Sequence, residues 1–307
     1  MRHIKNIKTL FTIAFVCIFT NLNAQQSPLF SEYNYNPFII NSAYAGLGGS
    51  TEIVLGNNGF FNDFDGSPRT LSLSGHGNLN NEKLAIGGGI VRDEIGVTKS
   101  TSVFAAFSYK IFFDFRNDRP YWQHYTQNVL SFGLTAGLQQ FQDNLTELNI
   151  LNDPSFAEDV NASIPTIGLS FLYNHASFYV GISAPNIMGD KLASEQNIRL
   201  SSPAYGYLGY RFFSNKYDNI MIKPNILIKY EKGAPIQIDF NVAVSVKNKF
   251  EVGGGYRTSS SFNLLAGLYL GKHLRFIYNY NIATNNSPLG NSHGISLNLK
   301  FGEGYSL

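Results

Sequence analysis

The stretch IQIDFNVAVSVK at 236–247 decides the fold. Ile236, Ile238, Phe240, Val242, Val244 and Val246 fall on one face of an extended chain. Gln237, Asp239, Asn241, Ala243, Ser245 and Lys247 fall on the other. Successive side chains of a strand point to opposite sides, so this period of two predicts a strand with one apolar and one polar face. The pattern recurs upstream. Leu130, Phe132, Leu134, Ala136 and Leu138 oppose Ser131, Gly133, Thr135, Gly137 and Gln139. Near the end, Ile295, Leu297, Leu299 and Phe301 oppose Ser296, Asn298 and Lys300.

Less regular versions occupy 51–60, 68–77, 83–91, 100–111, 167–173, 176–184, 203–213, 219–230, 249–257, 262–271 and 272–282. Together these runs give about fourteen candidate strands. The sequence shows neither an amphipathic helix of ten or more residues after the leader nor a run of eighteen apolar residues. The expected class is therefore all-β.

One-sided strands build either a soluble sandwich, apolar face inward, or a membrane barrel, apolar face outward. Three features favour the barrel. Runs of about 9–11 residues match a tilted bilayer crossing. The polar faces are rich in Gly, Ser, Thr and Asn, as suits a wet or filled lumen. Many runs end in aromatics, as at Phe141, Tyr210–Phe213, Tyr278–Tyr280 and Phe301, which suits interfacial girdles. The expectation is a transmembrane antiparallel β-barrel over residues 51–307.

The N-terminus supports export. Arg2, Lys5 and Lys8 precede an apolar run from Leu10 to Phe19, too short to span a bilayer. Residues 1–24 read as a signal peptide cleaved near Ala24, which makes the outer membrane the expected location. Of 23 basic residues these three leave with the leader, so 20 face 21 acidic ones. That balance gives no footing for nucleic-acid binding. The single cysteine, Cys17, also lies in the leader, which removes disulfides and thiolate chemistry from the rest.

If the first strand rises from the periplasm, even-numbered connections are periplasmic and short. Asn78–Glu82, Asn174–His175, Ser214–Asn219, Lys247–Lys249 and Gly271–His273 fit. Gln142–Pro165 and Pro185–Ser202 are long outer loops, the first carrying Asp143, Glu147, Asp153, Glu158 and Asp159 without a basic residue. Such a loop could steer a basic partner or simply be solvated. Phe112–Thr126, with Arg116, Arg119, Trp122 and His124, is long on the wrong side.

Catalytic and metal constellations are absent from the sequence. The six histidines show no ligand spacing, and no HExxH, CxxC or GxSxG occurs. No catalytic residue, metal ligand or cofactor is assigned, and no enzyme is expected. Asp63, Asp65, Asp93 and Glu94 lie near outer loops, either as solvated charges or around a cation. Gly87–Gly89 and Gly253–Gly255 sit inside strand-like runs, where they allow curvature or close approach of a lumen element rather than cradling phosphate.

Residues 25–46, QQSPLFSEYNYNPFIINSAYAG, have neither helical nor strand period but are rich in aromatics and amides. They need a larger surface to pack on, and the barrel supplies it. Residues 25–50 are thus expected as a plug or seal against or within the lumen. This stretch closely resembles the N-terminal signature of the PorP/SprF family, in which D-P-x-F-S-Q-Y leads into N-P-x-x-x-N-P-A-Y-A-G. Pro28, Phe30, Ser31, Tyr33, Asn36, Pro37, Asn41, Ala43, Tyr44, Ala45 and Gly46 match it, while Ser27, Glu32 and Ser42 depart from it.

Three later pieces are similar to the same family. They are KPNILIK at 223–229 with GAPIQIDF at 233–240, LRFIYNYN at 274–281, and SPLGNSHGISL at 287–297. Tyr278, Tyr280, Asn281, Ser292 and His293 carry the C-terminal motif, with Asn281 and Gly294 standing where the family has acidic residues. The resemblance implies an outer-membrane barrel of the type IX secretion and gliding apparatus, similar in architecture to fatty-acid-transporter-like barrels. It implies a non-catalytic role in secreting or anchoring a cell-surface protein such as an adhesin, or in anchoring the machinery. The partners it implies are outer-membrane lipid and a secreted surface protein or type IX components. The alternative is a fatty-acid-transporter-like barrel passing a small hydrophobic ligand.

Overall fold

The computed structural model describes residues 32–59, 66–79, 82–113, 128–150, 153–188, 202–214, 220–247, 249–258, 261–284 and 290–305. Residues 1–24, expected as a signal peptide, lie outside these residues, as do Pro28, Phe30, Ser31, Asp63, Asp65, most of Pro185–Ser202 and the stretch bearing Arg116, Arg119, Trp122 and His124.

The alternating runs form strands β1 (Glu52–Gly59), β2 (Arg69–Asn78), β3 (Leu84–Ile95), β4 (Thr98–Phe112), β5 (Val129–Asp143), β6 (Val160–Asn174), β7 (Phe178–Ala184) and β8 (Ala204–Tyr210). There follow β9 (Phe212–Ser214), β10 (Ile220–Tyr230), β11 (Gln237–Val246), β12 (Phe250–Arg257), β13 (Ser261–Leu270), β14 (Leu274–Ala283) and β15 (Ser292–Lys300). Neighbours pair antiparallel, and β1 pairs β15 from Glu52↔Lys300 to Gly59↔His293, closing the ring. β8 and β9 are two pieces of one stave, since both pair with β10. The barrel therefore has fourteen staves. Closure leaves no open edge, which hydrocarbon demands because it cannot hydrogen-bond a free strand.

Two prolines shape the ladder. Pro224 of β10 pairs Val242 on one side, while on the other the β10 register passes from Ile222↔Phe212 to Asn225↔Gly209. The stave breaks at Arg211, which falls opposite Lys223, next to the proline that has no N–H to give. Pro165 lies within β6, opposite Leu138, and not in a loop. β7 pairs Leu169–Asn174, so Pro165 lies outside the part of β6 that takes part in that pairing. β5 and β6 thus run on to Asp143 and from Val160, and the expected loop at Gln142–Pro165 shrinks to 144–159. Within it Thr146 donates from its backbone N at 3.0 Å and from Oγ1 at 2.8 Å to Asp159, holding that carboxyl below its usual range.

The apolar faces point outward. Leu55, Leu73, Leu134, Ile182, Leu208, Val242, Val252 and Leu264 are all exposed, the lipid-facing band of a barrel. Aromatics cluster at both rims: Tyr210 and Phe212 lie 4.3 Å apart at one, Tyr256 and Phe262 lie 5.0 Å apart at the other. Ser72, Ser74, Ser131, Ser170, Asp239, Asn241, Asn279, Ser296 and Asn298 are buried and face inward. β1 starts and β15 ends at the same rim, called the terminal rim below; the other is the far rim.

An arginine in the middle of the outward band must be drawn out of lipid. Val242→Arg is expected to lower folding stability in bilayers by about 2–4 kcal/mol. Ala243→Ser, facing inward, is expected to change it by less than about 1 kcal/mol. Urea titration of the protein in vesicles measures both.

Candidate functional site

The interior is built around residues 33–47. Three short 3-10 turns, Glu32–Asn34, Pro37–Ile39 and Ser42–Tyr44, fold the segment back and forth across the lumen. Pro37 opens the second turn, where its fixed φ is already suitable. Asn41 caps the third, its side-chain oxygen accepting from Ala43 N at 2.9 Å. Phe38, Ile40, Asn41, Ala43, Ala45 and Leu47 are each 3% exposed or less, as deeply buried as a globular core.

Contacts reach opposite walls. On one side Asn241 Nδ2 donates to Tyr33 Oη at 2.5 Å, and Asn279 Nδ2 donates to Tyr35 Oη at 2.8 Å. The Tyr35 carbonyl accepts from Arg275 at 2.7 Å and Asn298 at 3.2 Å. On the other side Asn36 Nδ2 donates to Ser74 Oγ at 3.0 Å. Asn41 Nδ2 donates to the Phe171 carbonyl at 3.1 Å, and Ala43 N donates to Ser170 Oγ at 2.9 Å. The Ser42 and Ser170 hydroxyls lie 2.7 Å apart. The segment leaves toward β1 through Gly46, whose N donates to His76 Nδ1 at 3.2 Å and whose carbonyl accepts from Lys110 at 2.6 Å. Lys110 also donates to Asn78 Oδ1.

Tyr33 is kept neutral. Burial, with Asp239 nearby, pushes its phenol well above the ordinary range. It acts as a hydrogen-bonding group and not as an anion.

Glycines on both partners make the fit possible. Gly46 has φ +64°, and a Cβ there would lie 1.9 Å from Asn78 Oδ1 and 2.6 Å from Lys110 Nζ. A Cβ on Gly133 of β5 would meet Ala43 N at 2.3 Å, and one on Gly87 would meet the Phe38 ring at 2.6 Å. The first glycine run of β3 therefore admits Phe38, which also packs edge-on to His76 at 4.8 Å.

Two cavities flank the segment. Toward the terminal rim, one of about 130 Å³ is lined by Tyr35, Glu52, His76, Arg275, Lys300 and Tyr305 among others. There Tyr305 Oη donates to Glu52 at 2.7 Å, and Arg275 lies 3.8 Å from the same carboxylate. Toward the far rim, one of about 160 Å³ has Phe38, Ile39 and Ile40 as its floor. On the far-rim wall Arg257 holds Asp239 with both Nε and Nη2, at 2.8–3.1 Å.

Of the sequence-selected residues, Tyr33, Asn36, Pro37, Asn41, Ala43, Tyr44, Ala45 and Gly46 form this one assembly. The C-terminal set lies elsewhere, near the far ends of β14 and β15. Tyr278, Tyr280 and His293 are on the outward face, with Tyr278 Oη 2.6 Å from His293 Nδ1 and the Tyr280 and His293 rings 4.7 Å apart. Asn281 and Ser292 join across the strands at 3.0 Å. Alternation along the strand divides the motif between two faces. Tyr35 and Phe38 were not singled out in the sequence, although they lie inside the signature stretch. The wall partners Ser74, Lys110, Ser170, Asn241, Arg275, Asn279 and Asn298 were not either. Their one available signal was polarity at an inward position.

Residues 22–299 match the model of a family described as "Type IX secretion system membrane protein PorP/SprF". Among solved structures, the toluene transporter TbuX of Ralstonia pickettii is similar over 86% of this chain and 93% of that one, at 10% identity and TM-score 0.51. The outer membrane protein Omp33 of Acinetobacter baumannii is similar over 83% and 100%, at 10% identity and TM-score 0.49. No curated protein matches the chain in sequence.

Gly46→Val puts branched carbon where Lys110 and Asn78 now sit and requires a strained φ. The variant is expected to keep the barrel, seen as heat-modifiable gel migration, while residues 33–47 become cleavable by protease. Equal protease resistance in the two proteins would show that the glycine does not set the seat.

Proposed function

The chain belongs to the PorP/SprF family of type IX secretion system membrane proteins, and we propose that in the outer membrane it acts without catalysis, as a rigid docking frame. It assists the secretion or surface anchoring of a partner protein, or anchors the machinery itself. The terminal rim faces the periplasm in this reading, and the far rim faces out.

The observation that carries the proposal is the seat of the signature residues. Tyr33, Asn36, Asn41 and Ala43, which match the family's N-terminal motif, brace the lumen from wall to wall. We read the segment as the plug that keeps the secretion component sealed while its rims meet other proteins. A closed barrel offers no strand edge, so partners meet it at loops or at the two mouths. Passage of a small hydrophobic ligand is the weaker reading, because the segment stands between the two cavities and the inward strand faces are polar.

Affinity capture of the tagged protein from gently solubilised outer membrane is expected to recover a type IX component or a secreted surface protein; capture of neither would sink the reading. Deletion followed by profiling of surface proteins separates the roles. Loss of one protein marks an accessory, and loss of all type IX cargo marks core machinery. Asn36→Ala and Tyr44→Ala are expected to reduce surface display several-fold more than alanine changes in the loop at 144–159. Normal barrel levels with normal display in both would count against the plug.

A further inference from the structure

The far-rim cavity has the composition of a ligand site. Phe38, Ile39 and Ile40 of the segment form its floor, and Val91, Phe104 and Tyr205 add apolar wall. Its volume of about 160 Å³ is that of a single substituted ring, since an apolar cavity of about 150 Å³ stays dry and takes up benzene. An apolar pocket with a few convergent polar groups is the common form of a small-molecule site.

Those polar groups choose the ligand's head. Among the lining residues Asp93 alone carries a charge; it is buried and accepts from Thr70 Oγ1 at 2.5 Å. A carboxylate oxygen has capacity for more than one donor. Lys229 is not among the lining residues and is paired with Glu231 at 3.3 Å. Ser183 Oγ lines the cavity, is buried, and has no hydrogen-bond partner among the described residues. A buried hydroxyl left unpaired is destabilising, and a ligand's polar group would relieve it.

The geometry points to this cavity as a binding site for a small molecule with an apolar group of single-ring size and a cationic or neutral donor head. A carboxylate head is selected against by Asp93. The site is a binding site on the far-rim side of the segment and does not require passage through it.

Calorimetry on the full chain in lipid nanodiscs tests this with 2-phenylethylamine, 2-phenylethanol and phenylacetate. The amine and the alcohol are expected to bind, with phenylacetate at least about tenfold weaker than the amine. Asp93→Asn should keep the Thr70 hydrogen bond while bringing amine and acid within about threefold of each other. Ser102→Phe and Val91→Phe, two separate ways of filling the space, should each abolish binding with heat-modifiable migration intact. The inference is overturned if no probe binds the native chain or if acid binds as tightly as amine. It is equally overturned if Asp93→Asn retains the discrimination, or if a correctly folded filled variant binds as before.

Discussion

Hydrocarbon cannot accept or donate a hydrogen bond, and that constraint organises this chain. It obliges the strands to close, which they do through eight register pairs between β1 and β15. It also sorts side chains: apolar ones face lipid, and Ser, Asn and charged ones are turned into the lumen. The lumen then inherits a second problem. A narrow interior lined with polar groups must hold water or be filled by something that pairs with those groups. Residues 33–47 do the latter.

The seat of this segment is mixed in character. Ile39, Ile40, Ala43 and Leu47 pack with Val129, Leu172, Tyr205, Tyr207 and Leu227, giving an ordinary hydrophobic contribution. Over that lies a set of hydrogen bonds, each worth about 1 kcal/mol net. Their greater effect is on specificity. A sideways slip of the segment would leave Ser170, Asn241 and Asn279 buried without Ser42, Tyr33 and Tyr35. The cost of each orphan exceeds the gain of each bond. Shape acts in the same sense, because Gly87 and Gly133 leave gaps only where Phe38 and Ala43 enter. Covalent continuity through Gly46 into β1 ties the seat to the strand that closes the ring.

The strands were legible because their cause is local. Alternation in 236–247 reads directly as β11, and the count of fourteen staves follows from similar runs. The boundaries of the expected loop Gln142–Pro165 failed at both ends, because β5 and β6 run into it. Pro165 is tolerated in β6 because it lies outside the part that pairs β7, a fact about a neighbour and not about the residue. The signature segment was legible as something that must pack. Its wall partners were not, because the pairs stand up to 263 residues apart in sequence and only the closed ring brings them together. Tyr278 and Tyr280 show the converse: the two residues that flank Asn279, which holds Tyr35, face the other side of the wall.

The central claim is that Ser42 sits against Ser170 in the membrane-embedded protein. The sequence has one cysteine, Cys17, and its replacement by serine leaves introduced cysteines to report without background. The two hydroxyls are 2.7 Å apart, close enough for Ser42→Cys with Ser170→Cys to bridge. Mild oxidation of outer membranes should crosslink that pair nearly completely, while Ser42→Cys with Ser245→Cys, on a different wall, should stay reduced. No bridge in the first pair, or equal bridging in both, would contradict a fixed seat for the segment.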